Sequence, residues 1–149
     1  MEYIQANLGR IFIARFDDEE NLLEELKNII KKEQIKAGFI HLIGAIYDTK
    51  VVLGPVKKEH PPTPFWWEFD DAREIIGLGI FAWENNEPKI HLHAGIGHSS
   101  ISKVGCIREK SKVYLTIEAV IQEIIGLENK NITRKNDARY NASLLNFKD

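Results

Sequence analysis

From Arg10 to Phe16 the chain alternates, with Ile11 and Ile13 to one side and Phe12, Ala14 and Phe16 to the other. That period of two predicts a strand. Asp17-Asp18-Glu19-Glu20 then offers an N-cap and an acidic first turn, Leu22, Leu23, Leu26, Ile29 and Ile30 recur at helical spacing, and Lys31-Lys32 suits the negative end of a helix dipole. A helix is predicted over about Asp18 to Glu33. Ala37 to Ala45 and the β-branched stretch Thr49 to Leu53 read as strands joined by a turn near Tyr47-Asp48. His60-Pro61-Pro62-Thr63-Pro64-Phe65-Trp66-Trp67 reads as a loop, because proline removes the donors a sheet needs. Glu74 to Trp83, Lys89 to Ala94 and Lys112 to Ile125 are three further predicted strands, the first two joined by the turn Asn85-Asn86-Glu87-Pro88. From Lys130 the tail is polar, and it closes on Leu144-Leu145-Asn146-Phe147, a segment expected to dock.

Many strands and one strong helix predict an α/β domain of the α+β type, built on a central, mainly antiparallel sheet. No repeat and no Gly/Ser linker divides the chain, so a single domain over residues 1–149 is expected. With 44% hydrophobic and 28% charged residues the balance is that of an ordinary globular domain. No apolar run reaches the roughly 20 residues of a spanning helix. The start, Met1-Glu2-Tyr3-Ile4-Gln5, lacks the basic and apolar segments of a secretion signal, and the lone Cys106 excludes an internal disulfide. A reducing, cytoplasmic setting is therefore the expectation, with no membrane partner. The net charge of −2 argues against a strong nonspecific grip on nucleic acid, which calls for basic excess.

The segment richest in chemistry is Lys89-Ile90-His91-Leu92-His93-Ala94-Gly95-Ile96-Gly97-His98. On a strand, residues i and i+2 share a face, so His91 and His93 project together while Leu92 points the other way. Two imidazoles so placed can converge on one ion, zinc or another divalent metal, with His98 or Cys106 completing the set. Set against this, a His-x-His pair can be two satisfied polar residues, and a lone Cys is commonly a small buried apolar group. Glu118 could orient a ligand or act as a base, or be a solvated residue. His41, inside an apolar run, reads as a hydrogen-bonded core histidine. Phe65, Trp66 and Trp67 are too apolar to leave in water and read as a subunit interface, hence an oligomer. No nucleophile elbow, phosphate loop or paired catalytic carboxylates can be read.

The order of these pieces resembles the plant-and-prokaryote-conserved (PPC) domain family from Ile11 to about Ile125. The resemblance is carried by Glu74-Ile75-Ile76-Gly77-Leu78-Gly79-Ile80, by Glu87-Pro88-Lys89-Ile90-His91-Leu92-His93-Ala94, and by Val104-Gly105-Cys106-Ile107 with Glu118. It implies a homotrimer, a central antiparallel sheet flanked by helices, and a DNA-binding or regulatory role. It also puts Cys106 where the family usually carries a third histidine, a change that zinc tolerates. The plant members bind DNA through an AT-hook, which this sequence lacks, so DNA binding by the domain itself is expected to be weak. Two rivals stand beside this reading. One is a metal-dependent enzyme for a small molecule, with Glu118 or Glu74 accepting a proton; the other is a pure assembly domain.

Overall fold

A computed structural model of the chain describes residues 1–126 and 131–148. The elements run β1 (Ala6–Asp17), α1 (Leu22–Lys32), β2 (Ala37–Tyr47), β3 (Thr49–Pro55), β4 (Pro64–Phe69), β5 (Arg73–Glu84), β6 (Glu87–His98), β7 (Ile101–Ile107), β8 (Lys112–Gly126), β9 (Asn131–Asp137) and β10 (Ala142–Lys148). One sheet holds all ten strands in the order β1-β8-β2-β5-β6-β7-β3-β4, with the β9–β10 hairpin joined to β5 through Trp83 and Thr133. That bridge is parallel, and the other named pairs are antiparallel. The expected antiparallel sheet is present. Flanking helices are not: among the described residues α1 is the one helix.

The helix begins later than the charge pattern predicts. Asn21, in extended conformation, caps it by accepting from the Glu24 amide at 3.3 Å, so the first turn opens at Leu22. Asp18 is drawn away: its carboxylate accepts from the Leu115 amide at 2.7 Å. Glu19 takes the left-handed conformation, φ 70°, and its carboxylate binds the Lys112 ammonium at 2.8 Å. The acidic run is thus a strand-to-helix turn tied to β8. The helix then buries Leu22, Leu26 and Ile30 completely.

These side chains meet one face of the sheet, made by Phe16, Ile40, Leu42, Phe81, Leu92, Ile117 and Ile121, all within the core. Fully burying a side chain of this size contributes about 1.5–3 kcal/mol, so this face drives folding. The other face is different. Ile11, Ile13, Phe39, Ile43, Ile76, Leu78 and Val120 all point outward there, Ile13 at 76% and Ile76 at 71% exposure.

Four strands, β4, β7, β9 and β10, form where the sequence predicts none. The proline-rich segment becomes β4 from Pro64 onward, pairing with β3 so that Val51 faces Trp67 and Val52 faces Trp66. A proline at the first position of a strand that ends the sheet removes no needed donor, which is why the aromatic triplet is not a loop. β7 is a mixed sequence, Ile-Ser-Lys-Val-Gly-Cys-Ile, whose pairing with β6 supplies what its own pattern lacks. The polar tail also folds, as β9 and β10, and Leu144 to Phe147 belong to that hairpin. Among the described residues no helix is long and apolar enough to cross a membrane.

Candidate metal centre

Register across the sheet builds the site. Ile13 pairs with Val120, Val120 with His41, His41 with Leu78, Leu78 with His93, and His93 with Cys106. A single row therefore crosses six strands on the outward face and ends in an imidazole beside a thiol. The next row towards the far end of β6 runs Arg15, Glu118, Ile43, Ile76, Gly95 and Val104. The row on the other side brings Ile80 against His91.

His91 and His93 share the outward face as the strand period requires, while Leu92 is fully buried on the core side. Their rings meet edge-on with centroids 4.8 Å apart, one ring N–H donating to the other's bare nitrogen at 2.9 Å. One donor atom from each of His91, His93 and Cys106 lies within 4.8 Å of the others. Tetrahedral zinc at about 2.0–2.3 Å from nitrogen and sulfur needs donors about 3.5 Å apart, so small side-chain rotations close the set. Two imidazoles and a thiolate are donors zinc prefers. The residues fit the group, and three protein ligands leave a fourth tetrahedral position free.

Electrostatics favour the ligand form of His91. Protein crowding around the ring, followed by positive neighbours His93, Arg134 and Arg108, holds its pKa below the ordinary imidazole value. The ring therefore stays neutral, with a nitrogen lone pair available. Cys106 is a free, buried thiol, and the Arg108 guanidinium reaches its sulfur with Nε at 3.5 Å.

The other candidates lie elsewhere. His98 has the opposite strand parity to His91 and His93 and sits five positions beyond His93, about 16 Å along the strand. Its Nδ1 stands 4.0 Å from Asp71 instead. Glu118 is three strand spacings from β6, about 14 Å, so it cannot orient a ligand in its own subunit. Glu74 pairs with Gly97, four positions from His93. Glu74 and Glu118 instead border a shallow cavity of about 630 Å³ that Gly95 and Gly97 leave open. His41 is exposed rather than in the core, because β2 presents Ile40 and Leu42 inward and Phe39, His41 and Ile43 outward.

The aromatic triplet divides. Trp67 is half-buried against Phe69, with centroids 4.8 Å apart, and is flanked by the Arg73 guanidinium at 4.9 Å and the Lys103 ammonium at 4.4 Å. Phe65 is 52% exposed at the sheet's end. Sequence reasoning missed Arg108 and Arg134, which border the centre. Arg108 lies two residues after Cys106, a spacing that would have placed it on the same face had β7 been recognised.

Comparison with known proteins agrees with this architecture. The Plants and Prokaryotes Conserved (PCC) domain description matches residues 3–125. A plant- and prokaryote-conserved (PPC) protein of Pyrococcus horikoshii is 26% identical and superposes with a TM-score of 0.83, over 98% of this chain and 97% of its own. A metal-containing protein of Archaeoglobus fulgidus is 20% identical with a TM-score of 0.83, over 97% of this chain and 99% of its own. A candidate DNA-binding protein of Bacteroides thetaiotaomicron is 19% identical with a TM-score of 0.74, over 95% of this chain and 97% of its own. No curated protein matches the chain.

Proposed function

We propose that this chain, which belongs to the Plants and Prokaryotes Conserved (PCC) domain family, is a homotrimeric zinc-binding domain with a DNA-associated regulatory role. The observation that carries the reading is the convergence of His91, His93 and Cys106 at one end of an exposed apolar sheet face. His91 and His93 would hold the ion through ring nitrogens and Cys106 through its thiolate. When bound, zinc supplies a Lewis-acidic centre and a fixed link between β6 and β7.

Exposed patches of the size formed by Ile13, Ile43, Ile76 and Leu78 mark interfaces, which supports self-association through the outward face. Trp66, on the outer edge strand, shares the outward parity of His93 and Cys106 through Val52, whereas Phe65 lies on the opposite face. A thiolate ligand suits a reducing, cytoplasmic compartment. The DNA arm rests on the descriptions of fold relatives, and the net charge of −2 limits it: binding by the domain alone is weak and strongly salt-dependent.

Elemental analysis of purified protein, paired with solution mass by light scattering, tests the core of this reading. About one zinc per chain and a trimeric mass are expected. A metal-free monomer would overturn it. The open fourth position favours one second reading, a metal-dependent enzyme for a small molecule. A fourth ligand from a neighbouring subunit would exclude it.

A further inference from the structure

A second concavity, about 590 Å³, lies on the other side of His91 and Cys106, roofed by the β9–β10 hairpin. That volume is typical of a small-molecule site. Four cationic side chains border it: Lys27 from α1, Lys89 from β6, Arg108 beyond β7 and Arg134 from β9. No acidic residue lines it among the described residues. Glu87, the nearest carboxylate on β6, is occupied by Lys31 at 2.7 Å, which leaves Lys27 and Lys89 without an ion pair among the described residues.

Arg134 is the telling member. It is only 7% exposed, an unusual place for a guanidinium. Two of its donors are used, one to the Ser143 carbonyl at 2.6 Å and one to the Ile80 carbonyl at 3.3 Å. Its Nε has no partner among the described residues, and neither does the Ser143 hydroxyl, which lines the same cleft. A buried donor left unmade costs about 1–3 kcal/mol, more when charged, so these two groups want an acceptor. Burial lowers the guanidinium pKa, with Glu84 and Cys106 pulling the other way, yet an arginine remains charged at neutral pH. Between the cations the wall is apolar, made by Leu23, Ile80, Leu144 and Leu145, with Leu145 paired to Arg134 across the hairpin.

We propose that this cleft binds a small organic phosphate monoester, its phosphoryl group held by Arg134, Arg108 and Lys89 and its organic part by the apolar wall. Planar guanidinium donors match phosphate oxygens in pairs, and the surplus of positive charge suits a dianion. The site goes beyond the metal reading and stands without it, because its cations are the protein's own.

Calorimetric titration of the full chain with phenyl phosphate tests the proposal, with inorganic phosphate and phenol as controls and zinc content measured on each sample. One saturable site per chain is expected for phenyl phosphate, weaker binding for inorganic phosphate and none for phenol. Arg108→Ala and Lys89→Ala alter exposed residues and should keep the fold, as circular dichroism would show, while weakening phenyl phosphate about tenfold each. Arg134→Lys keeps the charge but loses the fork and should weaken binding at least as much. Zinc-free protein should bind phenyl phosphate as well as loaded protein, even if the metal proposal fails. The absence of saturable binding by folded protein would overturn the idea. So would binding indifferent to all three substitutions, or lost on zinc removal. Displacement of phenyl phosphate by a short DNA duplex, with the same dependence on Arg108 and Lys89, would reassign the cleft to backbone phosphates and equally overturn it.

Discussion

His93 stands directly opposite Cys106 across the β6–β7 pair, so the imidazole and the thiol are cross-strand neighbours on one face. Such neighbours have Cβ atoms about 4.5–5.5 Å apart, a spacing one ion can bridge. His93→Ala should therefore abolish zinc binding, and Cys106→Ala should weaken it at least tenfold. Leu92→Val, one residue away on the buried side, should leave metal content unchanged and cost about 1 kcal/mol of packing. Elemental analysis and denaturant unfolding of the three variants read both effects.

Acid should strip the metal, since imidazole and thiolate bind only when deprotonated. The direction of the His91 shift sets where this happens. Its pKa is held below the ordinary value near 6.5, so the ring stays free of protons to lower pH than an unperturbed imidazole. Zinc affinity should thus persist below the ordinary imidazole value of about 6.5 before acid removes the metal. The sign for metal-free protein is the same: the unfolded chain takes up the proton first, so stability declines as pH drops through this range. Competition with a chromophoric chelator across pH 5–8 follows the first effect, and apo-protein melting follows the second. A metal-free protein that melts identically from pH 5 to 8 would contradict the shift.

The outward face offers a sharper test of assembly than the tryptophans do. Ile76 and Leu78 lie in adjacent rows, at 71% and 62% exposure in the single chain. Ile76→Asp or Leu78→Lys should lower the solution mass towards that of one subunit with little change in the subunit's own core, because neither side chain packs inward. Trp67→Ala should act in the other way. It removes a ring held between Arg73, Lys103 and Phe69 and should cost about 3 kcal/mol of subunit stability. Light scattering separates the two outcomes.

Arg10 clamps the end of β8. Its Nε donates to Glu123 Oε2 at 2.8 Å and a terminal nitrogen to Oε1 at 3.0 Å, a bidentate pair between β1 and β8. Hydrogen bonding to Arg10, above all, holds the Glu123 carboxyl below the usual carboxylate range. A depressed pKa contributes stability that is present above the unfolded value, about 4.3, and is lost as pH falls through the folded value. Glu123→Gln should cost about 1 kcal/mol at pH 7, a discounted figure because Arg10 is half-exposed. The gap between wild type and variant should close on acidification, which urea melts at pH 7 and pH 3 would show.

Much of this architecture could be read from periodicity, and the failures have physical reasons. α1 carries a one-sided apolar pattern and β1, β2, β5, β6 and β8 carry apolar or alternating runs of strand length, so their existence was visible. β7 and β9 carry none, because Ser102, Lys103, Gly105, Thr133 and Lys135 owe their extended form to neighbouring strands. The His91–His93 pair followed from strand geometry alone. Excluding His98 needed only its parity, once β6 was known to run unbroken to residue 98. Arg134 was beyond reach, since nothing local says that a polar tail folds back over the centre. His41 misled for another reason: Phe39 and Ile43, which share its face, are as apolar as the buried Ile40 and Leu42, and a run that is apolar on both sides hides which side is core.

The pairing of β1 with β8 has a kinetic consequence. Ala6 pairs with Gly126 and Asp17 with Thr116, so an early strand must wait for one made roughly a hundred residues later. The β5–β6 hairpin needs only the turn at Asn85-Asn86 and can form in microseconds. Folding should therefore nucleate at β5–β6 and close at β1–β8, with the slow, millisecond-to-second rates of high contact order. During synthesis at about 5–20 residues per second, β1 stands unpaired for several seconds with the core-facing Phe12 and Phe16 in water. A chaperone that shields short apolar strands would find its opening in that interval.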